Sequence, residues 1–315
     1  SPRWVWGWAA VWPGAYGEDV VAESVTGASP PVSPGGRVGA GSADSMGIAE
    51  RIPEAMEAAP PAKVVEARVG RKYTAVTLHD GAVGVALTQL PEPLGCCGEH
   101  DLAPQAGGEA ARVLAEANER LAGLRWSRDV VALLASDNSV ERAAGLACAN
   151  ALANRTTVPM LPGDLLQHLR VRPEDVVGMV GFFGPLVGPL QAKSARLHVF
   201  ERKDGDGSLL PAEAAFDLLP RCDIAVITSG TITNGTIDRL LQAAGSCREV
   251  AMVGASTPLL AAVFRDSPVT WLSGSVVTEG ELTVKVISEG GGRKEFNSYL
   301  RKGNIPCMRR VEPVP

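Results

Sequence analysis

The stretch Asp223-Ile-Ala-Val-Ile-Thr-Ser-Gly-Thr-Ile-Thr-Asn-Gly-Thr236 reads in two halves. Its first half is a nearly unbroken apolar run, the pattern of a parallel strand buried on both faces. Residues 228–236 then carry five hydroxyls, one amide and two glycines. The spacing of Ile237, Leu240 and Leu241 that follows predicts an amphipathic helix. A buried strand, a polar turn and a helix make a βα unit, and the unit recurs on both sides. Asp175-Val-Val-Gly-Met-Val-Gly-Phe-Phe183, Ala195-Arg-Leu-His-Val-Phe-Glu201, Glu249-Val-Ala-Met-Val253 and Val269-Thr-Trp-Leu272 read as further strands, with helices opening near Pro185, Pro211, Thr236 and Pro258. This alternation predicts an α/β, Rossmann-like domain with a mostly parallel sheet, spanning residues 158–305 and followed by a tail, 306–315.

Upstream the periodicity changes. Lys63-Val-Val-Glu-Ala-Arg-Val69, Tyr73-Thr-Ala-Val-Thr-Leu-His79 and Ala82-Val-Gly-Val-Ala-Leu-Thr88 read as three strands. Asp80-Gly81 joins the last two, since both turn positions tolerate positive φ. Two helical patterns follow, Glu109–Leu124 and Ser139–Ala153, the second with Asp137 or Ser139 as its cap. Residues 60–157 are therefore expected to form a smaller α+β domain. Residues 1–59 are unlike either part. Trp4, Trp6, Trp8 and Trp12 crowd the start, and Ala28–Gly36 has no periodicity, so a disordered or non-native extension is expected. An amphipathic pattern begins just after Met46, which reads as the natural start.

With 315 residues, two domains are expected. A net charge of −5 and the scatter of basic pairs (Arg293–Lys294, Arg301–Lys302, Arg309–Arg310) argue against a nucleic-acid partner. No apolar run approaches the roughly 20 residues that span a bilayer. The expected partner is a small molecule, and twofold symmetry is the general prior for assembly, a homodimer. Six cysteines without a framework spacing suit reduced thiols and a cytoplasmic location.

In an open α/β sheet, ligands bind beyond the carboxyl ends of the strands. Four loops lie there. In the first, Gly181 and Gly184 would let the backbone approach a ligand, with Pro185 at the first helical turn, although the dinucleotide fingerprint spacing is absent. The second is the strand end at Glu201, 20 residues after Gly181, a separation typical of ribose-binding carboxylates. The third is the polar turn itself: Thr228, Ser229, Gly230, Thr231, Thr233, Asn234, Gly235 and Thr236. Hydroxyls and free N–H groups at a helix start predict a cradle for phosphate or carboxylate. The fourth is Gly254, Ser256, Thr257 and Pro258, read as a strand-to-helix turn. Glu201 and Asp238 are acid or base candidates by position only.

One loop upstream has a different chemistry. Cys96, Cys97, Glu99 and His100 group soft donors that suit zinc or copper, but adjacent thiols pair poorly on one metal and no second ligand pair is present. His79, His168 and His198 are isolated.

Val180-Gly-Phe-Phe-Gly-Pro-Leu186, Leu197-His-Val-Phe-Glu201, Leu219–Asp238 and Val253-Gly-Ala-Ser-Thr-Pro-Leu259 resemble the family described as "putative heavy-metal chelation domain". Val69–Val76, Gly81–Ala86 and Gly145–Leu152 are similar to the partner domain of that family, which looks like the capping domain of enolase. The resemblance covers about Val64 to Arg301. It implies a Rossmann-like domain preceded by an enolase N-terminal-like domain, a pocket between them, and a role in chelating metal or in handling a metal-chelator complex.

Three functions compete on the sequence. The first is binding, with or without transformation, of a small organic anion such as a chelator, pterin or flavin-like compound. The second is direct metal binding through Cys96, Cys97 and His100. The third is methyltransferase-like chemistry with Glu201 on the ribose of a methyl donor.

Overall fold

The computed structural model describes residues 46–57, 60–90, 107–202 and 209–307. It opens with α1 (Ile48–Glu57), whose Ile48, Ile52 and Met56 recur at helical spacing and are buried. Sequence reading groups this segment with the extension. Tertiary partners hold it instead. Ile48 N–H donates to Asp238 Oδ1 at 2.9 Å, and Arg51 Nη1 reaches Val263 O at 3.4 Å. Asp238, a candidate acid or base by position, therefore caps α1. Asp238→Ala is expected to cost about 1 kcal/mol, the usual worth of an N-terminal cap. Hydrogen exchange should show faster opening of residues 48–51 than in the wild type.

Strands β1 (Val64–Val69), β2 (Tyr73–Leu78) and β3 (Val83–Leu87) form an antiparallel sheet in chain order. The β2–β3 turn places Gly81 at φ +83°. Asp80 Oδ1 accepts from Ala82 N–H across that turn at 3.2 Å. Helices α2 (Gly107–Ala122), α3 (Ser127–Val131) and α4 (Ser139–Ala153) follow. Asn138, lying between the two expected caps, starts α4 by accepting from Val140 N–H at 2.9 Å. Eleven of the fifteen residues of α4 are buried, because its small side chains allow close approach to the sheet. Gly84 is the contact point. A Cβ there would lie 2.1 Å from Ala147 O and Ala151 N.

The larger sheet is built from β4 (Val176–Val180), α5 (Gly184–Lys193), β5 (Arg196–Glu201), β6 (Leu210–Pro211) and α6 (Ala215–Leu218), then β7 (Ile224–Thr228), α7 (Gly230–Thr233), α8 (Ile237–Ala243), β8 (Glu249–Val253) and β9 (Trp271–Val277). After α9 (Gly280–Ser288) and α10 (Arg293–Phe296), β10 (Leu300–Pro306) returns along the edge. The strand order is β10-β9-β8-β7-β4-β5-β6. All neighbours are parallel except β9 and β10. The mixed α/β class expected from the alternation is present. The chain builds outward from β4 in one direction, then returns to β7 and builds the other way. The switch point lies between β4 and β7, where an open α/β sheet leaves a crevice.

The segment after β8 departs from the sequence reading. No α-helix lies between β8 and β9; the chain after Gly254 runs irregularly to a single 3-10 turn, Ala261–Phe264. Pro258 is therefore not at a helix start. The stretch from Gly254 is taken up instead by docking on the small sheet. Leu87 N–H donates to Ser256 Oγ at 2.8 Å, while Asn150 Nδ2 reaches both Val85 O and Ser256 O. One turn further along α4, Asn154 donates to Thr257 O and Ser275 O and accepts from Leu259 N–H at 2.9 Å. These two buried amides join the small sheet to the large one. Among the described residues, no helix is long and apolar enough to cross a membrane.

Candidate functional site

The crevice at the β4/β7 switch is a cavity of about 710 Å³. Its floor is the carboxyl edge of the large sheet. Gly181, directly after β4, has φ +87° and accepts no side chain easily, since a Cβ would meet that of Thr228 at 3.0 Å. Gly254, after β8, has φ +132° and sits against Ser229 Oγ in the same way. Positive φ at both sites is the backbone reason for glycine. The opposite wall comes from the small sheet and its turn, through Arg71, Lys72, Tyr73, Leu87 and Gln89. Gln89 Nε2 crosses to Gly230 O at 2.8 Å, fixing the two walls together beside the cavity.

Of the residues singled out from sequence, Gly181, Gly184, Pro185, Glu201, Thr228, Ser229, Gly230, Thr231, Asn234, Thr236, Gly254 and Ser256 line this cavity. Thr233, Gly235, Thr257 and Pro258 stand outside its lining. Cys96, Cys97, Glu99 and His100 lie outside the described residues.

The polar turn itself is built differently from the expected cradle of free hydroxyls and N–H groups. Thr231 Oγ1 donates to Thr228 O at 2.6 Å, Thr233 Oγ1 to Gly230 O at 2.9 Å and Ser229 Oγ to Val253 O at 3.2 Å. Asn234 Oδ1 accepts from both the N–H and the hydroxyl of Thr236. The N–H groups of Ser229, Ile232 and Asn234 are bonded to backbone carbonyls. A four-residue helix has more backbone groups to satisfy at its ends than bonds within it. The hydroxyl-rich composition meets that local demand.

Glu201 turns back on the β4–α5 loop. Its Oε2 accepts from Phe182 N–H at 3.0 Å and its Oε1 from Arg202 N–H at 2.8 Å. Burial pushes its carboxyl above the usual range, against the pull of those two bonds and of the Arg202 charge. Phe182 lines the cavity and is 48 % exposed. Phe183, Phe200, Phe216 and Leu240 add apolar wall.

The charge of the lining is what sequence reading missed. Among the described residues, Arg71, Lys72, Arg202, Arg293, Lys294 and Lys302 line the cavity against Glu201 and Glu213. The surplus of four positive charges stands in a chain whose net charge is −5. Arg293–Lys294 and Lys302, scattered pairs in the sequence, are brought together with the β1–β2 turn because α10 and β10 fold back beneath it. Burial, and next the charge of Arg293, push the Lys302 ammonium below its usual range, while Asp164 opposes the shift.

Among the described residues, no histidine or cysteine lines the cavity. Among the described residues, no three His, Cys, Asp or Glu side chains stand together as a ligand set. Cys148, Cys222, Cys247 and Cys307 are buried. Burial raises all three that shift, Cys222 to about 11 and Cys307 to about 12, with Cys148 higher still. A buried thiol kept protonated is a poor ligand, because the thiolate is the form that binds.

Comparison with known proteins agrees with this architecture. A protein of unknown function from the DUF364 family of Desulfitobacterium hafniense DCB-2 is 24% identical, with 82% of this chain and 98% of that chain covered and a TM-score of 0.65. A second, from Pyrococcus horikoshii, is 25% identical over 82% of this chain and 99% of that one, at a TM-score of 0.66. No curated protein matches. Residues 52–153 match the DUF4213 family and residues 164–305 the DUF364 family, both described as "Putative heavy-metal chelation". Between them these matches take in both sheets, and the chain belongs to the family that both models describe as "Putative heavy-metal chelation".

Proposed function

We propose that the chain binds a small organic anion, a chelator or a pterin- or flavin-like compound, in the cavity at the β4/β7 switch. The carrying observation is the lining that the described residues form: six basic side chains, two acidic ones, aromatic walls and, among them, no thiol or imidazole. Such a surface repels a bare metal cation, whose ligands would be thiolate, imidazole or carboxylate. It attracts carboxylate or phosphate, and its aromatic rings offer a face to a flat conjugated body. A heavy metal then enters as part of an anionic chelate, which reconciles the family's description with a cationic site. Gly181, Gly254 and the Thr228–Thr236 turn give the ligand close backbone approach. Glu201, with its raised carboxyl pKa, is the group suited to hold a proton if the ligand is transformed.

Native mass spectrometry and elemental analysis of one gently purified sample, before and after denaturation, test this. The expected result is an organic mass that leaves on denaturation, together with any metal present. Stoichiometric metal with no organic mass would overturn the reading and move the site to Cys96, Cys97 and His100.

A further inference from the structure

At one end of the cavity three cations from three separate elements converge. Lys72 belongs to the β1–β2 turn, Arg293 opens α10, and Lys302 lies in β10, opposite Ser275 of β9. All three line the cavity. Lys72 packs on Gly292, its Nζ 3.7 Å from the position a Cβ there would take, and the charge of Arg293 is felt at Lys302. Among the described residues, none of the three forms an ion pair with a carboxylate. The nearest counter-charges are engaged or peripheral. Glu295 lies beside Lys72 and Lys294, but its carboxylate accepts from Gly292 N–H at 2.9 Å. Asp164 acts on Lys302 only as a weaker, opposing charge behind burial and Arg293. Arg293 also keeps a buried Nε with no hydrogen-bond partner.

Like charges drawn together and partly desolvated oppose folding unless something offsets them. A buried donor left unmet does the same. Nothing in the packing of this end requires cations: the T-shaped contact of Tyr73 on Phe296, at 5.0 Å, already anchors α10 to the small sheet. We infer that Lys72, Arg293 and Lys302 form a subsite for the multiply charged end of the ligand, one bearing at least two anionic groups, while its flat body lies against Phe182 and Phe216. This deepens the anion-binding reading above and rests on it. Phosphate esters and clustered carboxylates share the required chemistry.

Pyrene monosulfonate and pyrene tetrasulfonate, two fluorescent probes with one body and different charge, separate the two claims in a polarisation titration. The tetrasulfonate is expected to bind at least about ten-fold more tightly, since a hydrogen bond to a charged group is worth about that factor. Arg293→Gln and Lys302→Gln should each lower its affinity by about ten-fold and leave the monosulfonate within about two-fold. Arg112→Gln, on the exposed face of α2, should change neither. Equal affinity for the two probes would overturn the subsite and leave the cavity reading standing. Failure of both to bind would overturn the cavity reading as well. Competition then names the anion: displacement of the tetrasulfonate by tripolyphosphate points to a phosphate ester, by citrate to clustered carboxylates, and displacement by neither overturns the subsite. A variant that does not fold is replaced by Lys72→Gln, in the β1–β2 turn, whose expected effect is the same.

Discussion

Gly84→Ala is expected to destabilise the protein by about 3 kcal/mol or more, placing it among the most damaging single-methyl additions. The added Cβ would stand 2.1 Å from the carbonyl oxygen of Ala147 and the nitrogen of Ala151. Both are backbone atoms of α4, so no side-chain rotation relieves the overlap. Either α4 lifts off the small sheet or β3 moves out of register with Val76 of β2. Urea denaturation of the wild type and the variant gives the difference directly. Gly81→Ala is the internal control. Nothing lies within 4 Å of a Cβ there, so its cost is only that of positive φ, about 1 kcal/mol. Equal losses at the two positions would mean that α4 does not sit against Gly84 as described.

Asn154→Ala carries the second large effect. One amide serves three backbone groups: Thr257 O, Ser275 O and Leu259 N–H. Asn154 is 5% exposed, so water cannot simply replace it. Each buried group left without a partner costs about 1–3 kcal/mol, and a total of about 3–5 kcal/mol is expected after some relaxation. The effect reaches the cavity, because the Thr257 segment continues from Gly254 and Ser256, which line it. Hydrogen exchange at Leu259 should accelerate with the loss of stability. Asn154→Asp separates the contributions: it keeps the acceptor for Leu259 N–H and loses both donors. A loss below about 1 kcal/mol for the alanine variant would show that the joint between the sheets lies elsewhere, since one such bond alone is worth about that much.

The carboxyl-end loops were legible because their signal is local. Val176–Val180 and Ile224–Thr228 announce buried strands by unbroken apolar runs, and Gly181 and Gly254 take the positive φ that the strand-to-loop turns demand. The polar turn after β7 was located from composition, yet three of its five hydroxyls donate to backbone carbonyls and a fourth to Asn234 Oδ1. Composition cannot distinguish a hydroxyl aimed at a ligand from one that closes a short helix. Pro258 misled for a similar reason: a proline after Ser-Thr is a common helix start, but here the segment is held by Asn150 and Asn154, which are more than a hundred residues away. The packing of α1 was also invisible in its own residues, since its cap is Asp238.

By itself the sequence determined the alternation of strands and helices, the two kinds of sheet and the glycines that the crevice needs, because periodicity and φ are set within a few residues. Only the tertiary structure decided the charge of the site. Lys72, Arg293 and Lys302 are unremarkable as separate pairs in an acidic chain. They become a cationic wall because β10 runs antiparallel along the edge of the sheet and α10 packs under the β1–β2 turn. Coulomb interaction depends on distance in space, and that distance is set by chain topology rather than by neighbouring residues.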